Sequence, residues 1–314
     1  MTFAGIPVPW TTREEWLKLR RDGIGASDVA AIVGLSPWAG PWHVWADKTG
    51  ALETEETEPM LWGRLLEDAV IDEWSRREGR DVIFRSGLFR HVSEPWMMCT
   101  VDGLAVPRGA TELAEVEAVV EVKLDSSRGW PDGPPPHYLC QVQWQMAVLG
   151  VPEARIVVLH QGRRLDVHEV AADPDDQRAL IDAARRFWVD HVEGGVAPPV
   201  DGSTTQVAAR VWPEDDGETV EVDADVVAEL ARVREEIAAL EARRDVLEGQ
   251  LKASLGSAAV GAVGGEPVVT WRTQTRRQVD VRRLRAVRPD VAEEFMVERT
   301  SRVFRLAKRG DRDG

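Results

Sequence analysis

Between residues 118 and 124 the chain reads Ala-Val-Val-Glu-Val-Lys-Leu, an apolar run interrupted by one acid and one base. A short run this rich in β-branched residues predicts a strand buried on both faces, and so a sheet with helices layered against it. Strand side chains alternate sides with a period of two, so Glu121 and Lys123 project from one face while Val120, Val122 and Leu124 cover the other. Upstream, Asp102 stands in Val-Asp-Gly at the end of another predicted strand. A carboxylate ahead of the strand with Glu-x-Lys on it can supply two hard oxygen ligands for a divalent cation. The ammonium then lies beside a water and a scissile phosphate, which is what metal-assisted phosphodiester cleavage needs.

The 314 residues can hold one sizeable core and an appendage. No apolar stretch reaches membrane-spanning length, and the first residues lack the zones of a signal peptide, so no membrane association is expected. Two cysteines, Cys99 and Cys140, make no disulfide framework, fit a reducing cytoplasm and are too few for an iron–sulfur cluster. The net charge of −15 sits awkwardly with nucleic-acid binding, which draws mainly on Lys and Arg. It is unevenly placed: from Thr270 onward thirteen Lys and Arg face seven Asp and Glu.

Helices are predicted from Thr11, from Ser27, from Pro41, over 61–78, around Gln141 to Leu149 and over 175–193. Strands are predicted at 82–85, 87–91, 96–101, 118–124, 154–160 and 164–170, with an acidic loop at 53–58. The domain reading is a body over 1–200, a linker over 201–220, a heptad helix over 221–256 and a small basic α+β extension over 257–314. In the heptad segment Val226, Leu230, Val233, Ile237, Leu240, Leu247 and Leu251 recur at spacings of four and three, with Arg244 in the remaining seam position. Packing on the body and pairing between chains both fit that pattern. The extension is read as strands at 267–272 and 302–306 around a helix near 280–295.

Five segments in series carry a resemblance: Arg20 to Asp28 with Gly-Leu-Ser-Pro-Trp at 34–38, Trp-Gly-Arg-Leu-Leu-Glu at 62–67, Val-Asp-Gly-Leu at 101–104, Glu-Val-Lys at 121–123, and the helix containing Gln141. Together they resemble the YqaJ viral recombinase group, which is similar to lambda exonuclease and to the PD-(D/E)XK nuclease superfamily. The resemblance covers roughly residues 10–170. It implies an α/β fold with a restriction-endonuclease-like core, a central mixed sheet flanked by helices. It implies a catalytic set of Glu67, Asp102, Glu121, Lys123 and Gln141, with Asp102, Glu121 and the Val122 carbonyl holding Mg²⁺ (or Mn²⁺). Val101 stands where the superfamily usually has proline. Gln143 and Gln145 are alternatives that helical geometry turns about 200° and about 40° away, and the resemblance selects Gln141.

The resemblance further implies a 5′-phosphate pocket at Arg20, Ser27, Thr100 and Arg128. The residues suit it, since a hydroxyl at a helix start and two guanidinium groups favour an anion. It implies 5′→3′ digestion of double-stranded DNA ends for phage- or prophage-type recombination in the bacterial cytoplasm. A single-strand annealing protein would be the partner, and a ring-shaped trimer a form of assembly. An endonuclease or single-strand nuclease on the same core, and a non-catalytic DNA-binding or assembly protein, are the competing expectations. Trp10, Trp16, Trp38, Trp42 and Trp45 suit either core packing or base stacking. His43, His137 and His160 show no ligand spacing.

Overall fold

The computed structural model describes residues 3–52, 56–298 and 300–307. It divides into two compact units, Met1–Trp212 and Pro213–Gly314. Residues 53–55 of the expected acidic loop lie outside the described residues.

In the first unit the elements run β1 (Gly5–Pro7), α1 (Arg13–Leu19), α2 (Ala26–Ile32), α3 (Pro41–Lys48), α4 (Glu58–Glu78), β2 (Asp81–Ile83), β3 (Gly87–His91), β4 (Met98–Val101), β5 (Gly103–Val106), β6 (Ala118–Asp125), α5 (Pro136–Leu149), β7 (Glu153–His160), β8 (Arg164–Ala171), α6 (Pro174–Phe187) and α7 (Thr204–Val211). Five strands form a mixed sheet in the order β2-β5-β6-β7-β8. Only β6 and β7 are parallel, and α5 is the crossover between them. A second sheet, β1-β3-β4, is antiparallel.

The strand predicted from its apolar run is the central one. On one face Ala118, Val120 and Val122 of β6 pack with Val70, Ile71 and Trp74 of α4. On the other, Val119 joins Leu104, Ile156 and Val158 in a core completed by Val142, Met146 and Leu149 of α5. Trp144 of α5, fully buried, donates its indole N–H to the Met98 carbonyl at 2.8 Å and so ties the helix to the second sheet. The expected central mixed sheet flanked by helices is therefore present.

Local chemistry sets the helix ends. Pro136 opens α5 in the first turn, where its missing N–H costs nothing, and Gly150 closes it with φ of 68°. Asp173 caps α6 by accepting from the N–H groups of Asp175 and Asp176.

Several expectations are corrected. Helix α5 starts at Pro136, before Gln141, because the proline-rich loop itself ends in a helix-starting proline. Strand β5, which no expected element covers, takes the chain directly on from Asp102 into the central sheet. The stretch 201–220 is not all linker, since α7 belongs to the first unit. Its Val207 is fully buried with Trp42, Ala46 and Leu52, and Trp42 donates to the Pro198 carbonyl at 2.8 Å.

The second unit holds the 32-residue helix α8 (Ala224–Leu255), the hairpin of β9 (Val260–Val263) and β10 (Glu266–Thr270), and the short helices α9 (Val281–Val287) and α10 (Pro289–Glu294). Asp223 caps α8 through the N–H groups of Asp225 and Val226. Gly264 and Gly265 both take positive φ, as a tight two-residue hairpin turn requires. The expected single helix near 280–295 is split at Pro289, which lacks an N–H and drives Arg288 out of helical geometry. The expected strand at 302–306 does not form. No described residue of this unit is buried.

Candidate active site

Asp102 sits where the chain leaves β4 in one sheet and enters β5 in the other. Pairing between β5 and β6 ends at Gly103 opposite Val120, so the backbone donors of β6 beyond that point have no strand partner on this side. The Asp102 carboxylate fills the gap and accepts from the Val122 N–H at 2.7 Å. Contact between Asp102 and Val122 thus runs through the amide.

Glu121 is 3% exposed and accepts from three donors. Lys123 Nζ and Gln141 Nε2 reach its Oε1 at 2.5 Å each, and Gln145 Nε2 reaches its Oε2 at 2.6 Å. Lys123 also donates to Gln141 Oε1 at 3.1 Å and lies 4.7 Å from the centre of the Tyr138 ring. Glu67, on α4, accepts from the Ser86 hydroxyl at 3.0 Å. Burial drives the Asp102 carboxyl well above its usual range, and the charges of Glu121 and Glu67 push the same way. Glu67 is raised by burial too, with Glu121 and Asp68 adding to the effect. Burial opposes the Lys123 charge, but Glu121 and Asp102 outweigh it and hold the ammonium above its normal range.

These groups form the floor of a cavity of about 670 Å³ lined by Glu67, Ser86, Asp102, Lys123 and Gln141. Its other wall carries Arg13, Arg20, Ser27, Arg64 and Thr100. Arg20 donates to the Ser27 hydroxyl at 3.0 Å, and its guanidinium lies 4.7 Å from the Trp16 ring centre. Trp16 in turn donates its indole N–H to Thr100 Oγ1 at 3.2 Å. Behind this wall Lys48, with a fully buried side chain, pairs with Asp28 at 2.6 Å and donates to the Arg20 carbonyl at 2.9 Å. Asp28 lies 3.6 Å from the Arg20 guanidinium and accepts from the Gly25 N–H at 2.8 Å. Burial works against the Asp28 charge, yet Lys48 and Arg20 hold its carboxyl below the usual range.

Over 308 residues the chain is 30% identical to the uncharacterized protein YqaJ of Bacillus subtilis (strain 168), with 93% of each chain covered. The chain belongs to the YqaJ family. Residues 15–152 match the YqaJ-like viral recombinase domain, which takes in Glu67, Asp102, Glu121, Lys123 and Gln141. Among solved structures, the alkaline exonuclease LHK-Exo of Laribacter hongkongensis is similar at 19% identity and a TM-score of 0.47, over 63% of this chain and 100% of that one. A putative exonuclease from Eubacterium rectale is similar at 11% identity and a TM-score of 0.45, over 70% and 98%.

In this YqaJ-family chain the five expected catalytic residues come together, and so do Arg20, Ser27 and Thr100. Arg128 does not join them. It is exposed in the loop after β6 and is absent from the cavity lining. Ser27 stands in the first turn of α2, with Gly25 as the cap. Three contributors escaped the sequence reading. Gln145 was set aside, yet it holds the second oxygen of Glu121. Arg64 lies one turn before Glu67 and Arg13 one turn before Trp16, and that shared helix face is the signal that could have found both.

The residues fit a hard divalent cation. The charge of Glu121 raises the proton affinity of Asp102 and of Glu67, and Glu67 adds to the effect at Asp102, so three carboxylates share a single ammonium, an excess of negative charge that a bound cation offsets. Among the described residues no three His, Cys, Asp or Glu side chains are grouped closely enough to hold a metal by themselves. Both cysteines are free, and burial pushes the Cys99 thiol up, as befits a small apolar core residue.

Proposed function

We propose that this chain is a metal-dependent deoxyribonuclease with a PD-(D/E)XK-type core, digesting duplex DNA from its ends in the 5′→3′ direction and leaving 3′ single-stranded tails. The observation that supports it is the shared cavity: Asp102 and Glu67 line it together with Arg20, Ser27 and Thr100, and Glu121 lies directly behind its lining residues Lys123 and Gln141.

Asp102 and Glu121 are the side chains that would hold Mg²⁺ (or Mn²⁺), with the Val122 backbone beside them. The ion, when bound, supplies a polarised water and neutralises charge on the scissile phosphate. Gln141, already bonded to Lys123 and Glu121, can orient the attacking water without adding charge. Lys123 offers an ammonium to the negative charge that grows on the phosphate oxygens. Gln145 keeps the Glu121 carboxylate fixed from its far oxygen. On the opposite wall, Arg20 and Ser27 can take a terminal 5′-phosphate by charge-assisted hydrogen bonds, with the Thr100 hydroxyl beside them. A grip on the end phosphate sets which strand enters the floor, and so sets polarity. The tails produced suit a single-strand annealing protein, and a ring of three copies is the assembly the family resemblance suggests.

The test uses linear duplexes labelled at one end, with and without 5′-phosphate, together with covalently closed circular DNA. The expected result is nucleotide release from 5′-phosphorylated ends in Mg²⁺, none in chelator, and intact circles. Circles cut as readily as linear duplex, or undiminished activity in an Asp102→Ala protein, would overturn the proposal.

A further inference from the structure

Lys48 is the last residue of α3, and its side chain is fully buried. A lysine is almost never enclosed unless it is paired. Its ammonium lies 2.6 Å from Asp28 Oδ2 and donates to the Arg20 carbonyl at 2.9 Å, with Asp47 farther off at 3.8 Å. Three helical segments therefore meet at one charge: α3 supplies Lys48, α2 supplies Asp28, and Arg20 follows directly on α1. An ion pair this enclosed contributes little over an apolar pair of similar volume, so stability alone does not account for it.

Both groups that Lys48 holds lead to the cavity wall. Asp28 comes directly after Ser27 in the first turn of α2 and accepts from the Gly25 N–H at 2.8 Å, which fixes how that helix begins. Arg20 is held at both ends. Lys48 takes its carbonyl, while its Nη2 lies 3.6 Å from Asp28 Oδ1 and donates to the Ser27 hydroxyl at 3.0 Å. Arg20, Gly25 and Ser27 line the cavity, whereas Lys48 and Asp28 stand behind them. Charge follows the same division. Asp28 is closer to Lys48 than to Arg20, so most of its charge is taken up behind the wall. Two cations share one carboxylate, and the surplus positive charge stands at Arg20, the member that faces the cavity.

We infer that Lys48 and Asp28 are positioning residues for the grip on a terminal 5′-phosphate. They hold Arg20 and Ser27 where both can donate to one phosphate, and they touch no substrate themselves. The inference rests on the reading of Arg20, Ser27 and Thr100 as the 5′-phosphate pocket. Without Lys48, Asp28 turns its uncompensated charge on Arg20 and cancels the cation that the phosphate needs. Without both, the guanidinium regains its charge but loses the carboxylate beside it and the ammonium on its own carbonyl. Loss of position then shows even where the fold has recovered.

The test measures binding of labelled linear duplexes that carry either a 5′-phosphate or a 5′-hydroxyl, in chelator so that no strand is cut. A denaturant titration of each variant runs beside it. The wild-type chain should favour the phosphate. Lys48→Met should lose that preference and lower the denaturation midpoint. Lys48→Met/Asp28→Leu should regain most of the midpoint, yet leave the preference about tenfold below that of the wild type. Lys48→Met/Asp28→Asn keeps an acceptor for the Gly25 N–H; it carries the same expectation and serves if the leucine variant does not fold. A double variant that regains both the midpoint and the wild-type preference would show the pair to be structural only and overturn the inference, with the pocket reading left standing. A wild-type chain that does not distinguish the two ends would overturn the pocket reading and the inference with it.

Discussion

The two units use the same kind of apolar periodicity to opposite ends. In the first, every other residue of β6 disappears into a core on one face, and α4 and α5 cover both sides. In the second, α8 repeats its apolar positions as regularly, and no described residue of that unit is buried. A periodic pattern therefore names an element reliably but does not say what will cover it. Burial in the first unit also makes polar groups expensive to misplace, which is why its acids and amides are locked into one bonded network. The charges of α8 stay in water, where each is worth little alone.

Substitutions can break or sharpen that contrast. The largest effect belongs to the acids at and behind the cavity lining: Asp102→Ala or Glu121→Ala should lower the Mg²⁺-dependent cleavage rate about 10³-fold or more, measured on a 5′-phosphorylated linear duplex. Next comes packing. Trp144→Ala should cost about 3–5 kcal/mol in a denaturant titration, because it leaves a cavity between α5 and the second sheet. Leu240→Ala, measured on dilute protein, should cost within about 0.5 kcal/mol. Comparable losses for both would erase the distinction between the units. Lys48→Met leaves Asp28 buried with only Arg20 and the Gly25 N–H to offset its charge and should cost about 3 kcal/mol, whereas Lys48→Met/Asp28→Leu should regain most of it. A double variant as unstable as the single one would show that the pair is not the source of the cost. The smallest effect compares two glutamines on one helix. Gln145→Ala should lower the cleavage rate about tenfold through loosened Glu121. Gln143→Ala, which loses bonds to the Ala171 carbonyl and the Asp173 N–H, should leave the rate alone and cost about 1 kcal/mol of stability.

What could be read from the residues follows from range. The strand at 118–125 and the helix at 224–255 were legible because their patterns are local and long. Asp102, Glu121, Lys123, Gln141 and Glu67 were legible through a familiar order of short segments. Gln145 was not, because a turn of about 40° on a helix looks like a different direction until the target lies close enough to be approached from two sides. Lys48 gave no sign of itself: a lysine near a helix end normally faces water, and only the fold brings Asp28 over it. Helix α7 was hidden by its length and polarity, and only Val207 among its residues is buried. Arg128 came only from the resemblance, and a motif order says nothing about where a loop carries an exposed side chain.

Gly103 follows Asp102 with an extended backbone, so the pair is not a hairpin corner. A methyl group at this glycine would collide with the Val82 side chain of β2 and touch Ile71 of α4. The acid is thus seated from behind, by an atom that is missing. Adding that single carbon would leave every ionisable group of the cavity in the sequence and yet force β2 and β5 to give way beside Asp102, so the packing behind the acid is as much a part of the centre as its charges.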